Sequence, residues 1–254
     1  YYLEQDLTIP LGKTLSIMEG VVLRISDGVT ITIFGTFEAS SAVLSSTGQG
    51  DRWSGLVMES PYSNLRLDGT TLLEASPSIM FGGGNLAVDG GTISRSASSR
   101  ALIEVNEQVG GSFSLSNMRL TDGSSSCIDI IESTIQLHIS NADFYACNGP
   151  SIRAENANVV IDDIVIGEGS SDGFVLSSII GTIENVDALE FNGAGNIFKL
   201  DYINNDLAIS NIVGTVGGLP GIAGSNNRNL NIESINLTGA PAIDFDYSSG
   251  IISD

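Results

Sequence analysis

The sequence predicts an all-β fold, a single parallel β-helix in which about 8–10 coils of ~22–25 residues stack into a solenoid. Apolar residues recur two positions apart, which places alternate side chains on one face of a strand. The pattern also restarts: the pair Phe113 and Leu115 is followed, after two turns, by the pair Leu137 and Ile139. Helical spacing by three and four residues persists nowhere for a whole window. Strand–turn units copied without helices therefore indicate a solenoid.

The first recurring strand, strand A, repeats eight times from Leu65 onwards, with successive starts at similar intervals. Its apolar pairs are Leu65/Leu67, Leu86/Val88, Phe113/Leu115, Leu137/Ile139, Val159/Ile161, Gly181/Ile183, Leu207/Ile209 and Leu230/Ile232. A turn residue follows at a fixed offset from each start, which predicts that every copy bends at the same place.

The second recurring strand, strand C, begins at a nearly constant distance after each strand A. Its apolar positions are Gly55/Val57, Ile79/Phe81, Ile103/Val105, Ile128/Ile130, Ile152/Ala154, Phe174/Leu176, Phe198/Leu200, Ile222 and Ile243/Phe245. The residues between them are predicted to point outward. These are Leu56, Met80, Glu104, Asp129, Arg153, Val175, Lys199, Ala223 and Asp244.

The opening residues also alternate, and two short texts within them, LSIMEG and ITIFG, look like copies in which Ile31 is equivalent to Leu15. Together with GDRWSGLVM at 50–58, this opening resembles the entry of right-handed parallel β-helix surface proteins, the pectin-lyase-like repeat domains. The resemblance covers the opening coils closely and the rest of the chain only as a repeat pattern. It implies a right-handed parallel β-helix solenoid and a secreted or cell-surface setting, and it implies no catalytic residue.

We expect one β-helix domain over residues 1–254, with entry or capping coils at 1–60 and regular coils at 61–254. The last residues still follow the strand pattern and no polar cap follows them. An open coil exposes unpaired strand edges, so we expect either a longer native chain or end-to-end self-association.

Charge and hydropathy exclude two classes of partner. The net charge is -20 and the pI is about 4.1, so the surface repels nucleic acid and anionic membranes. No apolar run reaches the ~18 residues of a membrane-spanning helix, which argues against membrane insertion. We expect an extracellular or cell-surface location, with other protein domains or cell-surface glycans as partners.

A column of turn residues follows strand A and is predicted to stack from coil to coil. Asn, Asp and Gly tolerate the left-handed backbone of a sharp bend, and stacked Asn side chains satisfy turn amides. The predicted turn ladder consists of Asn117, Asn141, Asp163, Asn185 and Asn211. We interpret this column as structural rather than as a ligand array.

Glu104, Asp129 and Arg153 are the one group that suggests chemistry. They are expected on three successive coils, ~4.8 Å apart. Polysaccharide lyases with a β-helix hold an acidic sugar through carboxylate-bound Ca²⁺ and abstract a proton with Arg or Lys, and these residue types resemble that arrangement. The alternative is a cross-strand ion pair on a solvated face. The even A-to-C spacing and the absence of the texts typical of β-helix hydrolases favour the ion pair.

Few other residues suggest a cofactor site. His138 is the only histidine, which excludes a multi-histidine metal site. We expect no metal site and no cofactor, although the many carboxylates leave a loose surface Ca²⁺ ion open. Asn236 begins the one glycosylation sequon, Asn-Leu-Thr, and is expected to face outward.

Cys127 and Cys147 are expected on adjacent coils and out of register with each other. Two outcomes stay open: a disulfide that staples the coils, which would suit a secreted protein, or two free thiols.

Two functions follow as hypotheses. The first is a non-catalytic extracellular or cell-surface module, structural or adhesive, that binds carbohydrate or a partner protein. The alternative is a Ca²⁺-dependent, lyase-like carbohydrate-active enzyme that uses the face with Glu104, Asp129 and Arg153.

Overall fold

The computed structural model contains 27 β-strands, all paired in parallel, and no helix in the residues that it describes. They form a β-solenoid of about 10 turns, as the sequence predicts. The described residues are 1–48, 52–96, 99–106, 110–169, 171–204, 206–217, 219–239, 243–246, 248 and 250–253.

The strands of the first coils are short, and from β15 to β26 long strands of 9–11 residues alternate with short strands of 4 residues. The first fourteen are β1 (Tyr2–Leu3), β2 (Leu7–Ile9), β3 (Thr14–Ile17), β4 (Val22–Ile25), β5 (Ile31–Ile33), β6 (Thr36–Ser40), β7 (Val43–Ser46), β8 (Leu56–Met58), β9 (Asn64–Asp68), β10 (Thr71–Leu73), β11 (Ile79–Phe81), β12 (Gly84–Asp89), β13 (Thr92–Ser94) and β14 (Ile103–Asn106). The remaining strands are β15 (Gly111–Thr121), β16 (Ile128–Ile131), β17 (Gln136–Tyr145), β18 (Ile152–Glu155), β19 (Asn158–Ile166), β20 (Phe174–Ser177), β21 (Ile180–Ala188), β22 (Phe198–Asp201), β23 (Leu207–Thr215), β24 (Ile222–Ser225), β25 (Leu230–Thr238), β26 (Ile243–Asp246) and β27 (Gly250–Ser253).

Each coil contributes to three faces, which we call sheets A, B and C. Sheet C stacks β2, β5, β8, β11, β14, β16, β18, β20, β22, β24 and β26. Sheet A begins with β3, β6, β9 and β12, and sheet B with β1, β4, β7, β10 and β13. From β15 onwards one long strand supplies both sheets A and B, because it bends between them without breaking the hydrogen-bonded ladder.

The predicted register of strand A is confirmed throughout. Leu65 pairs with Leu86, which pairs with Phe113, and the same column continues to Leu230. Inward side chains of successive coils therefore stack in the core. Phe174 and Phe198 stack in parallel with their ring centroids 4.6 Å apart, which is the interior packing that a solenoid needs.

Strand C is also in the predicted register except in its first copy, where the prediction is wrong by one position. Leu56 and Met58 pair with Ile79 and Phe81 and are fully buried, so Leu56 points inward and not outward. Gly55 belongs to the preceding turn: its φ is +83°, and a Cβ there would overlap the carbonyl oxygen of Pro77. A glycine at this place therefore marks a close backbone approach and not a strand position.

The short repeat predicted in the opening is wrong. Leu15 pairs with Phe37 in sheet A, whereas Ile31 pairs with Leu7 and Leu56 in sheet C. Leu15 and Ile31 therefore lie on different faces of the solenoid, and the opening coils have the size of the later ones. The motifs LSIMEG and ITIFG look alike because the strands on every face of the coil have the same alternation of inward and outward side chains.

The connections are short. Between the strands that the structure describes, none is longer than those at 47–55 and 189–197. Trp53 lies in the first of these and is fully buried, with its Nε1 donating to the carbonyl of Leu73 at 2.9 Å. It thus packs against the next coil, where it also forms an isolated parallel bridge with Ala75.

Candidate functional site

Glu104, Asp129 and Arg153 occupy the same outward position of β14, β16 and β18 in sheet C. Glu104 pairs with Asp129, and Asp129 pairs with Arg153, in register across adjacent strands. The structure therefore brings the three side chains together in one row, with neighbouring strands ~4.8 Å apart. Val175 and Lys199 continue the row on the next two coils.

Glu104 is held by a residue that the sequence analysis missed. Arg100, in the connection before β14, donates its Nε to Glu104 Oε1 at 2.8 Å and its Nη2 to Glu104 Oε2. This is a two-point pairing of a guanidinium with a carboxylate, which fixes both groups. Glu104 is thereby engaged by a neighbour from its own coil and not by an adjacent coil. The i, i+4 spacing was the only signal in the sequence, and it lies outside a helix, where such spacing has no fixed meaning.

Asp129 lies in a less favourable environment than Glu104. Its Oδ1 atom is buried and has no hydrogen-bond partner in the part of the chain that the structure describes. Burial raises the pKa of the Asp129 carboxyl, and the nearby charge of Arg153 partly offsets that effect. The carboxylates of Glu104 and Glu155 raise the pKa further. The Asp129 carboxyl therefore holds a proton more readily than a solvent-exposed aspartate does.

Arg153 is exposed, and no salt bridge joins it to Asp129 among the described residues. The row therefore contains a paired carboxylate, a partly buried carboxylate and an exposed cation. Such a row can attract an anionic or hydroxylated ligand through Arg153. The described residues contain no group of three or more His, Cys, Asp or Glu side chains that could hold a metal ion.

The predicted turn ladder lies at the bend between sheets A and B. All five residues have a positive φ, which is the left-handed conformation expected for this column. The φ angles are 55° for Asn117, 47° for Asn141, 53° for Asp163, 54° for Asn185 and 56° for Asn211.

The amides of the ladder bond from coil to coil, with one interruption. Asn141 donates to the side chain of Asn117, and Asn211 donates to that of Asn185 at 3.1 Å. Asn185 instead donates to Asp162 Oδ1 at 2.7 Å, and Asp162 precedes the ladder position. Asp163 breaks the chain because a carboxylate has no donor to offer to Asn141.

Two further columns of left-handed residues were not predicted. The column after the sheet C strands contains Glu132, Asn156, Ser178, Tyr202 and Asn226. The column after the sheet B strands contains Glu74, Arg95, Asp122 and Ala146. These residue types carry no common turn signal, so only the recurrence of the coil could have located them.

The structure joins Cys127 to Cys147 in a disulfide with a Cα–Cα distance of 5.6 Å. Both half-cystines are buried, and the bond links two neighbouring coils at the corner between sheets B and C. The connection at 146–150 already lies against that of the preceding coil, since the Asn148 amide donates to the Gly123 carbonyl at 2.7 Å. The connection therefore folds back onto the preceding coil, and of the two outcomes left open by the sequence the structure has the disulfide.

The remaining predicted residues lie on the surface and outside the row. His138 is exposed on sheet A, paired with Ser114 and Val160. Asn236 is exposed on sheet B, in β25, where its amide is accessible. Neither residue joins a cluster with the sheet C row.

Comparisons of the chain with protein-family models, with curated proteins and with solved structures find no match. Among the described residues there is also no helix with the length and apolar character to span a membrane.

Proposed function

We propose that the chain is a non-catalytic structural or adhesive module of an extracellular or cell-surface protein, built as a right-handed, pectin-lyase-like β-helix. The observation that carries this proposal is the flat surface around Glu104, Asp129 and Arg153 on sheet C, which has no long connection beside it among the described residues. Catalytic sites are clefts, and clefts on a solenoid need long connections beside the sheet. The described connections are no longer than those at 47–55 and 189–197. A flat face of this kind suits lateral contact with a glycan or a protein.

The state of Glu104 supports the same proposal. A carboxylate that binds a metal or a substrate must be free to do so, whereas Glu104 is paired at two points with Arg100. The half-buried pair therefore has a structural task, which is to hold the connection at 95–102 against sheet C.

The disulfide supports the location. Structural disulfides persist in oxidising compartments, so the bond between Cys127 and Cys147 favours a secreted or surface setting. Thiol titration of the unreduced, denatured protein from its natural source should find no free thiol. Two free thiols would count against both the bond and the location.

A binding experiment tests the adhesive part of the proposal. Immobilised protein is screened for binding to cell-surface glycans and to host or neighbouring cell surfaces. Arg153→Gln removes an exposed cation from sheet C, and Arg66→Gln removes a matched exposed cation from sheet A. Binding that is weakened by the first change and kept by the second assigns the contact to sheet C. A loss with both variants alike would indicate a general charge effect and contradict a specific face.

One observation favours a second function, a Ca²⁺-dependent polysaccharide lyase. Asp129 has a raised pKa and an unpartnered oxygen among the described residues, and Arg153 lies beside it on the next coil. Groups with perturbed pKa values cluster at active sites. Incubation with uronate-containing polysaccharides and Ca²⁺ should yield no unsaturated product if the module is non-catalytic. Product formation that is abolished in Arg153→Gln would establish the lyase instead.

A further inference from the structure

The sequence contains two Asn-Gly pairs, Asn148–Gly149 and Asn192–Gly193, and both lie in connections at the corner between sheets B and C. Asn followed by Gly is the most reactive arrangement for spontaneous loss of the side-chain amide, because glycine leaves the backbone free to approach. Both Asn residues are exposed to water. The two Asn-Gly pairs differ, however, in the hydrogen bonds that they make in the folded structure.

At Asn148 the backbone is held on both sides of the reactive bond. The Asn148 amide donates to the Gly123 carbonyl at 2.7 Å, and the Gly149 amide donates to the Ser125 carbonyl at 2.9 Å. The disulfide at Cys147 anchors the same segment. The Gly149 nitrogen is the atom that would have to attack the Asn148 side chain. It can do so only after local opening of the connection.

At Asn192 the arrangement is the opposite. The Gly193 amide donates no hydrogen bond to any residue that the structure describes. The Gly169 amide donates to Asn192 Oδ1 at 3.2 Å, which draws electron density from Cγ and stabilises negative charge on that oxygen. The nucleophile therefore lacks the hydrogen bond to a described residue that holds the Gly149 nitrogen, and the carbon that it attacks is activated.

We propose that Asn192 is a site of spontaneous deamidation in the folded protein and that the fold protects Asn148. The Gly193 nitrogen loses its proton to solvent base and forms a bond to Asn192 Cγ. The Cγ–Nδ2 bond then breaks, and the side-chain nitrogen leaves as ammonia after taking up a proton. Water opens the resulting succinimide at either carbonyl. The net change converts one asparagine and one water into aspartate or isoaspartate and one ammonia, with no oxidant or reductant.

The product adds a negative charge to a connection that already contains Glu190 and lies beside the connection of Glu168 on the preceding coil. Because Asn192 Oδ1 is the acceptor for the Gly169 amide, the isoaspartate product also displaces the contact between these two connections. The modification thus alters the B–C corner two coils from the disulfide, and it requires no enzyme or ligand.

The test is peptide mapping by mass spectrometry after incubation of the native protein at mildly alkaline pH. Trypsin places the two sites in separate peptides, 120–153 and 154–199, because cleavage follows Arg119, Arg153 and Lys199. We expect Asn192 to deamidate at least about tenfold faster than Asn148 in the folded protein, and the two rates to converge in the reduced, denatured chain.

Two variants assign the deamidation to one of the two sites. Asn192→Gln should remove the modified product from peptide 154–199, whereas Asn148→Gln should leave the total deamidation of the folded protein nearly unchanged. Equal rates at both sites in the folded protein would overturn the proposal. So would an Asn192 that stays intact when folded and reacts only when the chain is denatured.

Discussion

At the scale of single residues, Asp163 is the weak point of the turn ladder. The ladder works because each Asn side chain has a donor for one neighbour and an acceptor for the other. Asp163 has the correct left-handed backbone but only acceptors, so the Asn117–Asn141 segment is not joined to the Asn185–Asn211 segment.

Asp163→Asn should therefore stabilise the protein by about 1 kcal/mol, because its new amide donor can bond to the side-chain oxygen of Asn141. The free energy of unfolding in urea measures this gain. Glu184→Gln is the matched control, since it removes a neighbouring outward carboxylate without entering the ladder. An equal gain from both variants would show that reduced charge repulsion, and not the ladder, is the cause.

Asp129 makes the stability of the protein depend on pH. Its pKa is raised above the usual 3.8 by burial, so the folded state binds its proton more readily than the unfolded state does. Protonation of Asp129 therefore favours the folded state. This contribution to the free energy of unfolding is complete below the pKa of the unfolded chain and is lost as the pH rises through the higher pKa of the folded protein.

Asp129→Asn should consequently raise the thermal midpoint at neutral pH, with a gain of about 1 kcal/mol or less. The gain should shrink as the pH falls towards 3.8, where the wild-type side chain is protonated as well. Melting curves across this range, with Asp244→Asn as an exposed control in the same row, provide the measurement. A gain that does not change with pH would contradict the role assigned to burial.

At the scale of the strand, the sequence predicts the register and the turn ladder well, but not the two other columns of left-handed residues. Alternation and recurrence locate every copy of strand A, because a shift by one position would turn all apolar side chains outward. Gly55 shows the limit: a glycine between apolar residues fits either a strand or a close backbone approach, and only the neighbouring coil decides between them. The Arg100–Glu104 pair depends on how the residue before β14 lies against its own strand, which alternation does not encode.

Mutation of Gly181 tests whether a glycine within the strand pattern marks a close approach between two backbones. It occupies an inward register position between Val159 and Leu207, with a φ of +129°, and a Cβ there would overlap the Val159 carbonyl oxygen. Gly181→Ala should cost about 2 kcal/mol or more, since β21 is bonded on both edges and cannot move away. Gly217→Ala is the control, because nothing lies within 4 Å of its Cβ position. Similar unfolding midpoints for both variants would refute the close approach.

At the scale of the whole molecule, each coil pairs only with the coils on either side of it. Stability should then be a sum over coils and their interfaces, so an entire coil can be removed if the register is kept. The equivalent left-handed residues Asn156 and Ser178 mark where one coil can be cut out.

Deletion of 156–177 joins Glu155 to Ser178 and places β21 directly on β17. We expect a folded β-rich protein with a lower midpoint, in which Asn185 lies next to Asn141 in the ladder. Deletion of 156–178 removes one more residue. The strand after the junction, β21, then shifts by one position, so its apolar side chains point outward and its polar side chains inward. Circular dichroism and thermal melting compare the two. Equal behaviour of both deletions would contradict a register-dependent stack.

The disulfide has a mechanical consequence. Hydrogen bonds between coils run along the solenoid axis, so tension applied along that axis pulls them apart one coil at a time. Each event should release the chain length of a single coil, and the resistance should be a series of small steps and not one large rupture. The bond between Cys127 and Cys147 closes a loop with a sequence separation of 20 across two neighbouring coils. Under load that loop cannot extend, so the chain would stretch further only after reduction.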